Sequence, residues 1–211
     1  MGTTWLLIAA TAVCVIAMLV AEWRRWDRLV WVAKPLASTG FVAVALAEGA
    51  LESPYGLAIL TALTLSWLGD MLLIPRDHRS AFLGGLGSFL LGHVAFVVAW
   101  IVRGLDPLAS AIALLPSGLM AWRIHRWLSP HLPDRLRKPV IAYIVVITAM
   151  VGLAVGTAVL HPDPRLLFGA VAFFASDIAV ARERLVKSAF ANRAWGLPLY
   201  YGAQVLLALT V

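Results

Sequence analysis

Eight runs of mostly apolar residues, each near the length a helix needs to cross a bilayer, follow one another with only short polar breaks. They lie at about 3–21, 32–50, 55–74, 81–102, 107–124, 139–160, 165–181 and 195–211. Crossing a membrane takes roughly 20 apolar residues in a helix, because lipid offers backbone N–H and C=O groups no partners. The pattern predicts an all-α integral membrane protein, a bundle of about eight transmembrane helices forming a single polytopic domain over 1–211. Composition agrees: 13% of residues are charged, against about 25% in soluble domains. A soluble globular enzyme, a disordered chain and a nucleic-acid-binding domain are excluded. Residues 1–21 carry no basic leader and no small-residue cleavage site, and are read as a retained first helix rather than a signal peptide. Cys14 is the single cysteine, which excludes an intramolecular disulfide and a cysteine-based zinc site.

The basic residues divide unevenly between the loops. Loop one holds Arg24, Arg25 and Arg28, with Lys34 just inside the next span; loop three holds Arg76 and Arg79. Loop five holds Arg123, Arg126, Arg135, Arg137 and Lys138; loop seven holds Arg182, Arg184, Lys187 and Arg193. Only Arg103 and Arg165 fall in even loops. Basic residues are retained on the cytoplasmic side, so odd loops are expected in the cytoplasm and both termini outside. Trp5, Trp23, Trp26, Trp31, Trp100, Trp122, Trp127 and Trp195 sit near span ends, as an aromatic belt does. Pro54, Pro75, Pro107, Pro139 and Pro164 fall near span edges, where proline is tolerated.

Four helices return a chain to the side it started from, so two parallel four-helix repeats are possible in principle, and weak echoes of one exist. Lys34-Pro35 opens span two and Lys138-Pro139 opens span six; Gly69-Asp70 ends span three and Ser176-Asp177 ends span seven. The echo pairs the two aspartates. An ionisable side chain at the bilayer centre costs about 2.5–3.5 kcal/mol on insertion scales, so each such residue calls for a reason. At 1.5 Å per residue, Asp70 and Asp177 lie roughly 5–10 Å inside the odd-loop boundary. Lys34, Tyr143, Tyr200 and Gln204 enter from the same side, and His93 lies deeper. The other half of the bilayer receives almost no polar groups. This predicts a pocket open at the odd-loop side and argues against a continuous pore. Plainer readings exist for several of these residues. Lys34 can snorkel to the headgroups, the tyrosines can be interfacial, His93 can be a core histidine and Gln204 interhelical glue. The aspartates resist such readings, because a carboxyl cannot snorkel far and neither has a basic residue four positions away. Gly84, Ser88 and Gly92, and Gly152 with Gly156, recur every four residues and read as close-packing faces.

Absences narrow the chemistry. His78, His93, His125, His131 and His161 form no HExxH or HxxxH pair, and neither a nucleophile elbow, a Walker loop nor a dinucleotide fingerprint occurs. What remains is two carboxyls, a lysine, tyrosines, a glutamine and a histidine, with no metal and no cofactor expected.

At these residues the chain resembles the YhhN family of membrane proteins, which includes the lysoplasmalogenases. The landmarks are Ala33-Lys34-Pro35-Leu36, Ser66-x-x-Gly69-Asp70, the glycine-rich fourth span with His93, Phe174-x-Ser176-Asp177, and Tyr200-Tyr201-x-x-Gln204. They run in order from span two to the C-terminus. Phe96 stands where many members have a tyrosine. The resemblance implies hydrolysis of the vinyl ether bond of 1-alkenyl-lysophospholipids, giving a fatty aldehyde and a glycerophospho-headgroup. It implies catalysis at Asp70 and Asp177, with Lys34, Ser66, His93, Tyr143, Ser176, Tyr200 and Gln204 binding substrate or supporting them. The partner it implies is a lysophospholipid in the membrane, and the location a bacterial inner membrane.

The residue set suits that reaction. Vinyl ethers resist base and yield to acid: protonation of the alkene carbon distal to oxygen creates an oxocarbenium ion, water adds, and the hemiacetal collapses. A protonated and an ionised carboxyl together supply the acid and the counter-charge, as in glycosidases. Acid and stabiliser are not assigned between the two aspartates. Lys34 is available to bind the lipid phosphate or to tune an aspartate; Tyr200, Gln204 or His93 to position water. The competing readings are a small proton-coupled transporter using the aspartates as relays and a non-catalytic lipid-binding membrane protein.

Overall fold

The computed structural model describes residues 2–75 and 78–211, so Arg76, assigned above to loop three, lies outside the described residues. Among these, eight long helices follow one another: α1 (Gly2–Arg24), α2 (Asp27–Ala47), α3 (Pro54–Leu72), α4 (Arg79–Arg103), α5 (Pro107–Leu128), α6 (Asp134–Leu160), α7 (Pro164–Ala181) and α8 (Phe190–Ala208). A single 3-10 turn, Ser129–His131, follows α5, and a wider π turn, Arg182–Val186, prolongs α7. The chain is an all-α integral membrane protein. Seven helices, α1 to α7, are long and apolar enough to cross a membrane. The eighth is less apolar because of what it faces: its Asn192, Tyr200, Tyr201 and Gln204 are all buried against other helices rather than lipid.

Local chemistry sets the helix starts. Pro54, Pro107 and Pro164 occupy the first helical position of α3, α5 and α7, where the missing N–H is no loss. The preceding residue caps each helix: Ser53 Oγ accepts from Gly56 N at 2.9 Å, Asp106 Oδ1 from Ala109 N at 2.6 Å, and Asp163 Oδ1 from Arg165 N at 2.9 Å. Two sequence expectations are corrected. Lys34-Pro35 and Lys138-Pro139 do not open their helices; α2 begins at Asp27 and α6 at Asp134, so both prolines lie within a helix. Pro35 is the ninth residue of α2 and Pro139 the sixth of α6; each forgoes one backbone hydrogen bond, and the helices run on through them. The eighth helix likewise begins at Phe190 rather than near residue 195.

The halves pack alike. Within each half successive helices are neighbours, α1–α2–α3–α4 and α5–α6–α7–α8; across the halves α4 lies on α6 as α8 lies on α2. Close crossings rest on small residues. A Cβ on Gly156 of α6 would stand 1.9 Å from Ser110 Oγ of α5, so only glycine admits that approach. Little of α5 is otherwise buried; it stands at the edge of the bundle on α6. The interior is filled by large side chains, with Phe41, Phe96, Trp100 and Phe173 fully buried. Trp100 is therefore not part of the aromatic belt: it donates from Nε1 to Met150 O at 3.2 Å in the core. Trp5, Trp23, Trp26, Trp31 and Trp122 are exposed.

Both chain ends meet the even-loop end. Thr4 donates to Glu48 beyond α2 at 2.6 Å, and Thr210 bonds Tyr55 at the start of α3 at 2.6 Å. Arg103 donates to that tyrosine at 2.8 Å. This small network lies at an end where the sequence showed few polar groups inside the spans.

Candidate active site

Asp70 sits two residues before the end of α3 and Asp177 four before the end of α7. Both helices approach the odd-loop end there, so the carboxyls share a level. Both line one cavity of about 370 Å³. Lys34, Tyr143 and Tyr200 line it with them, and much of the remaining wall is apolar, including Leu86, Ile144, Ile147 and Phe174. The cavity stops at the carboxyls because Phe41, Phe96, Phe173 and Trp100 fill the bundle beyond.

The two carboxyls have different company. Lys34 and Ser38, four apart on one face of α2, both turn to Asp70. Lys34 Nζ lies 3.1 Å from Asp70 Oδ1, and Ser38 Oγ donates to Oδ2 at 2.7 Å. Tyr200 of α8 donates to the same Oδ2 at 2.7 Å. Ser38 also bonds the Tyr201 hydroxyl at 3.1 Å. Lysine carries only donors, so every partner of Asp70 treats it as an acceptor. The side chain is 4% exposed.

Asp177 is more open, at 16% side-chain exposure. Tyr143 of α6 donates to its Oδ2 at 2.7 Å. His93 Nε2 of α4 stands 3.4 Å from the same oxygen but out of line for a hydrogen bond. Its Nδ1 is 2.7 Å from Phe89 O. A carbonyl only accepts, so Nδ1 carries the hydrogen and a neutral ring presents a lone pair at Nε2. A carboxylate facing that lone pair is unfavourable. A neutral carboxyl at Asp177 would remove that repulsion. Phe173 stacks on the imidazole with centroids 4.4 Å apart, and Tyr143 meets it edge-on at 5.2 Å, fixing the ring.

The structure thus draws Lys34, Asp70, Tyr143, Asp177 and Tyr200 to one cavity wall and sets His93 directly behind Asp177. Three other residues proposed from sequence stand apart. Ser66 and Gln204 lie one turn deeper than Asp70 and Tyr200, fully buried, and neither Ser66 Oγ nor either Gln204 amide atom has a hydrogen-bond partner. Ser176 turns back to Phe173 O at 2.7 Å, within its own helix. None of the three lines the cavity. Sequence reasoning missed Ser38, although its spacing from Lys34 was a signal. It also missed a charged clamp at the mouth, where Arg193 joins Glu22 at 3.0 Å and Glu183. Glu183 further accepts from Ser188 Oγ at 2.6 Å, Ala189 N at 2.8 Å and Asn192 Nδ2 at 2.9 Å. Among the described residues, no group of three or more His, Cys, Asp or Glu is placed to hold a metal ion.

The profile of the YhhN family matches residues 29–211. The chain belongs to the YhhN family. The match takes in every residue around both aspartates named above except Glu22. A protein of Mycobacterium bovis named lysoplasmalogenase is 35% identical over 183 residues, 79% of this chain. A Bos taurus protein named lysoplasmalogenase TMEM86A is 29% identical over 76% of the chain and 67% of its own length. A Rattus norvegicus protein named lysoplasmalogenase TMEM86B is 32% identical over 71% of the chain and 59% of its own length. The match spans 66% of the mycobacterial protein's length, just under two thirds. No solved structure matches this YhhN chain.

Proposed function

We propose that this protein is a membrane-embedded lysoplasmalogenase, with Asp177 as the acid and Asp70 as the ionised stabiliser. The observation that carries the reading is the inequality of two carboxyls in one cavity: Asp70 bound only by donors, one of them an ammonium, and Asp177 set 3.4 Å from the Nε2 of a histidine whose Nδ1 is committed to Phe89 O. The names borne by its YhhN relatives support the choice of substrate.

Asp177 delivers a proton to the vinyl carbon distal to oxygen, and the positive charge develops on the carbon–oxygen unit. Asp70 faces that charge as a carboxylate held in place by Lys34, Ser38 and Tyr200, so little reorganisation accompanies the step. Water adds to the oxocarbenium carbon and returns a proton to the carboxylate of Asp177. The hemiacetal then moves its hydroxyl proton to the departing oxygen, leaving a fatty aldehyde and a glycerophospho-alcohol. Protons balance over the cycle. Tyr143 keeps Asp177 aimed into the cavity, and His93 steadies its proton from behind. Lys34 serves Asp70, and its 3.1 Å approach to that carboxyl supports tuning over phosphate binding. A positioned general acid contributes about 10²–10⁴-fold.

The protein sits in a bacterial inner membrane with odd loops in the cytoplasm and both termini outside, on the weight of the basic residues in those loops. The substrate enters from the inner leaflet, where the cavity opens. The buried aromatic residues beyond the carboxyls close the cavity toward the even-loop end, as a hydrolase fed from one leaflet requires. The test is release of aldehyde from 1-alkenyl-lysophosphatidylethanolamine by the detergent-purified protein, with diacyl and alkyl-ether lipids as controls. Release from the alkenyl lipid alone supports the reading, and no release from any of the three overturns it.

A further inference from the structure

A lipid chain reaches across one leaflet, about 15 Å of hydrocarbon. Held at the carboxyls, an alkenyl chain cannot continue along the bundle axis, because Phe41, Phe96, Phe173 and Trp100 fill it beyond them. At the mouth it would meet water and the clamp of Arg193 and Glu183. The way that remains is sideways. We infer that the chain lies along α4, α5 and α6 and reaches the bilayer through the seam between α4 and α5, an inference that takes its ligand, a lipid with one long apolar chain, from the reading above. The lining of the cavity is divided to suit it. Every residue that α4, α5 and α6 bring to it is apolar except Tyr143, whose hydroxyl is bound to Asp177. Lys34, Asn192 and Arg193 come from α2 and α8.

The seam is the weak line in that wall. Helix α4 packs on α6 and α6 on α5, whereas α4 and α5 barely touch, although only residues 104–106 join them. The first half of α5 is fixed to α6: Asp106 N donates to Gly156 O at 3.0 Å, and a Cβ on Gly152 would stand 2.5 Å from Leu114. Pro116 follows, in the tenth position of α5. It has no N–H to give Ile112 O, and helices bend most readily where such a bond is lost. Beyond it Leu128 is the one fully buried side chain of the helix. Leu128 closes on a small apolar cluster with Leu132, Leu136, Val140 and Ile144, on which Phe82 and Leu83 of α4 also pack. This cluster is separate from the main core. Ile124 lies one turn before Leu128 on the same face and lines the cavity with it. Residues 117–128 thus form a side wall with a hinge at Pro116 and an anchor at Leu128. The anchor breaks no polar contact when it parts, and lipid chains are as apolar as leucine, so an opening wall meets no penalty from water.

The experiment locates the chain with a ligand that cannot be cleaved. Full-length protein in phospholipid bilayers is irradiated with a 1-alkyl-glycerophosphoethanolamine carrying a diazirine near the end of its alkyl chain, and the labelled residues are mapped by mass spectrometry. The adducts that count are those removed by excess 1-hexadecyl-glycerophosphoethanolamine and left by the same excess of a diacyl phosphatidylcholine. They should fall within residues 82–86 and 121–128. Ile124→Trp fills the passage and should lower this competed labelling at least about tenfold, since each methylene kept out of an apolar site is worth about fourfold in affinity. Labelling of the outer surface, which competitor does not remove, should stay unchanged. Competed adducts on α1, α2 or α8, or none anywhere, overturn the inference, as does wild-type labelling in a folded Ile124→Trp protein. Thermal melting identifies a variant that fails to fold, in which case the wild-type map decides alone. The probe carries no vinyl ether, so this result stands apart from aldehyde release. Competed adducts at the seam without release keep the passage and remove the reaction; release with competed adducts elsewhere does the reverse.

Discussion

Tyr200 of α8 donates to Asp70 of α3 at 2.7 Å, while His93 of α4 stands against Asp177 of α7 at 3.4 Å. Tyr200 follows Asp177 in sequence by the same interval that His93 follows Asp70. Each aspartate is thus served by the helix that follows the other aspartate, a crosswise arrangement matching the like packing of the two halves. The chemistry at the two positions differs because the partners differ. A phenol, a hydroxyl and an ammonium make Asp70 an acceptor, whereas an imidazole whose hydrogen is committed to Phe89 O turns its other nitrogen to Asp177.

Stability should therefore respond unequally to the two amides. Asp70→Asn leaves the buried Lys34 ammonium without its counter-charge, and breaking a buried ion pair from one side costs about 3–5 kcal/mol. Asp177→Asn keeps its bond to the Tyr143 hydroxyl and removes no ion pair with a permanent charge. Thermal melting in one detergent should show a large drop for Asp70→Asn and a small one for Asp177→Asn. Equal drops would contradict the assignment of Asp70 as the ionised member.

The Lys34–Asp70 pair should show strong coupling. Lys34→Met strands a buried carboxylate, and Asp70→Asn strands a buried ammonium. The double variant strands neither and should be more stable than either single one, with a coupling energy of about 1–3 kcal/mol. Additive losses in a double-mutant cycle would mean that the pair is solvated rather than buried.

Gln204 gives a test of opposite sign. Its amide is fully buried with neither nitrogen nor oxygen bonded. An unpaired buried polar group costs about 1–3 kcal/mol, so Gln204→Leu should raise the melting temperature. A fall would show that the amide has a partner in the folded protein and belongs to the site after all.

Orientation can be read by labelling. A cysteine at Asp134, introduced after replacing Cys14, should be shielded from an impermeant maleimide in intact cells, and one added near the C-terminus should react. Labelling at position 134 from outside would reverse the topology and move the cavity mouth to the outer leaflet.

Much of this architecture was legible because hydropathy and depth are one-dimensional properties. Run lengths gave the helices, and counting back from Pro75 and Arg182 gave the shared level of Asp70 and Asp177. What required three dimensions was partnership. Lys34 read equally as a phosphate binder and as an aspartate tuner until its distance to Asp70 was known. Gln204 shares a helix face with Tyr200, yet it sits a turn too deep to reach the cavity, a difference that periodicity does not register. Arg184 and Arg193 counted alike as loop charges, although one points across the mouth to Leu73 and the other is clamped between Glu22 and Glu183. Trp100 shows the same limit: nearness to a span end places a tryptophan along the bilayer normal but not on the inside or the outside of the bundle.

The central claim is that Asp177 donates the proton that opens a vinyl ether. Its most direct measurement is the turnover of aldehyde release from 1-alkenyl-lysophosphatidylethanolamine by the wild type and by Asp177→Asn, each shown by melting to be folded. An amide carries no acidic proton, so kcat should fall by about 10²-fold or more with a smaller change in KM. A folded Asp177→Asn protein releasing aldehyde at the wild-type rate would contradict the account.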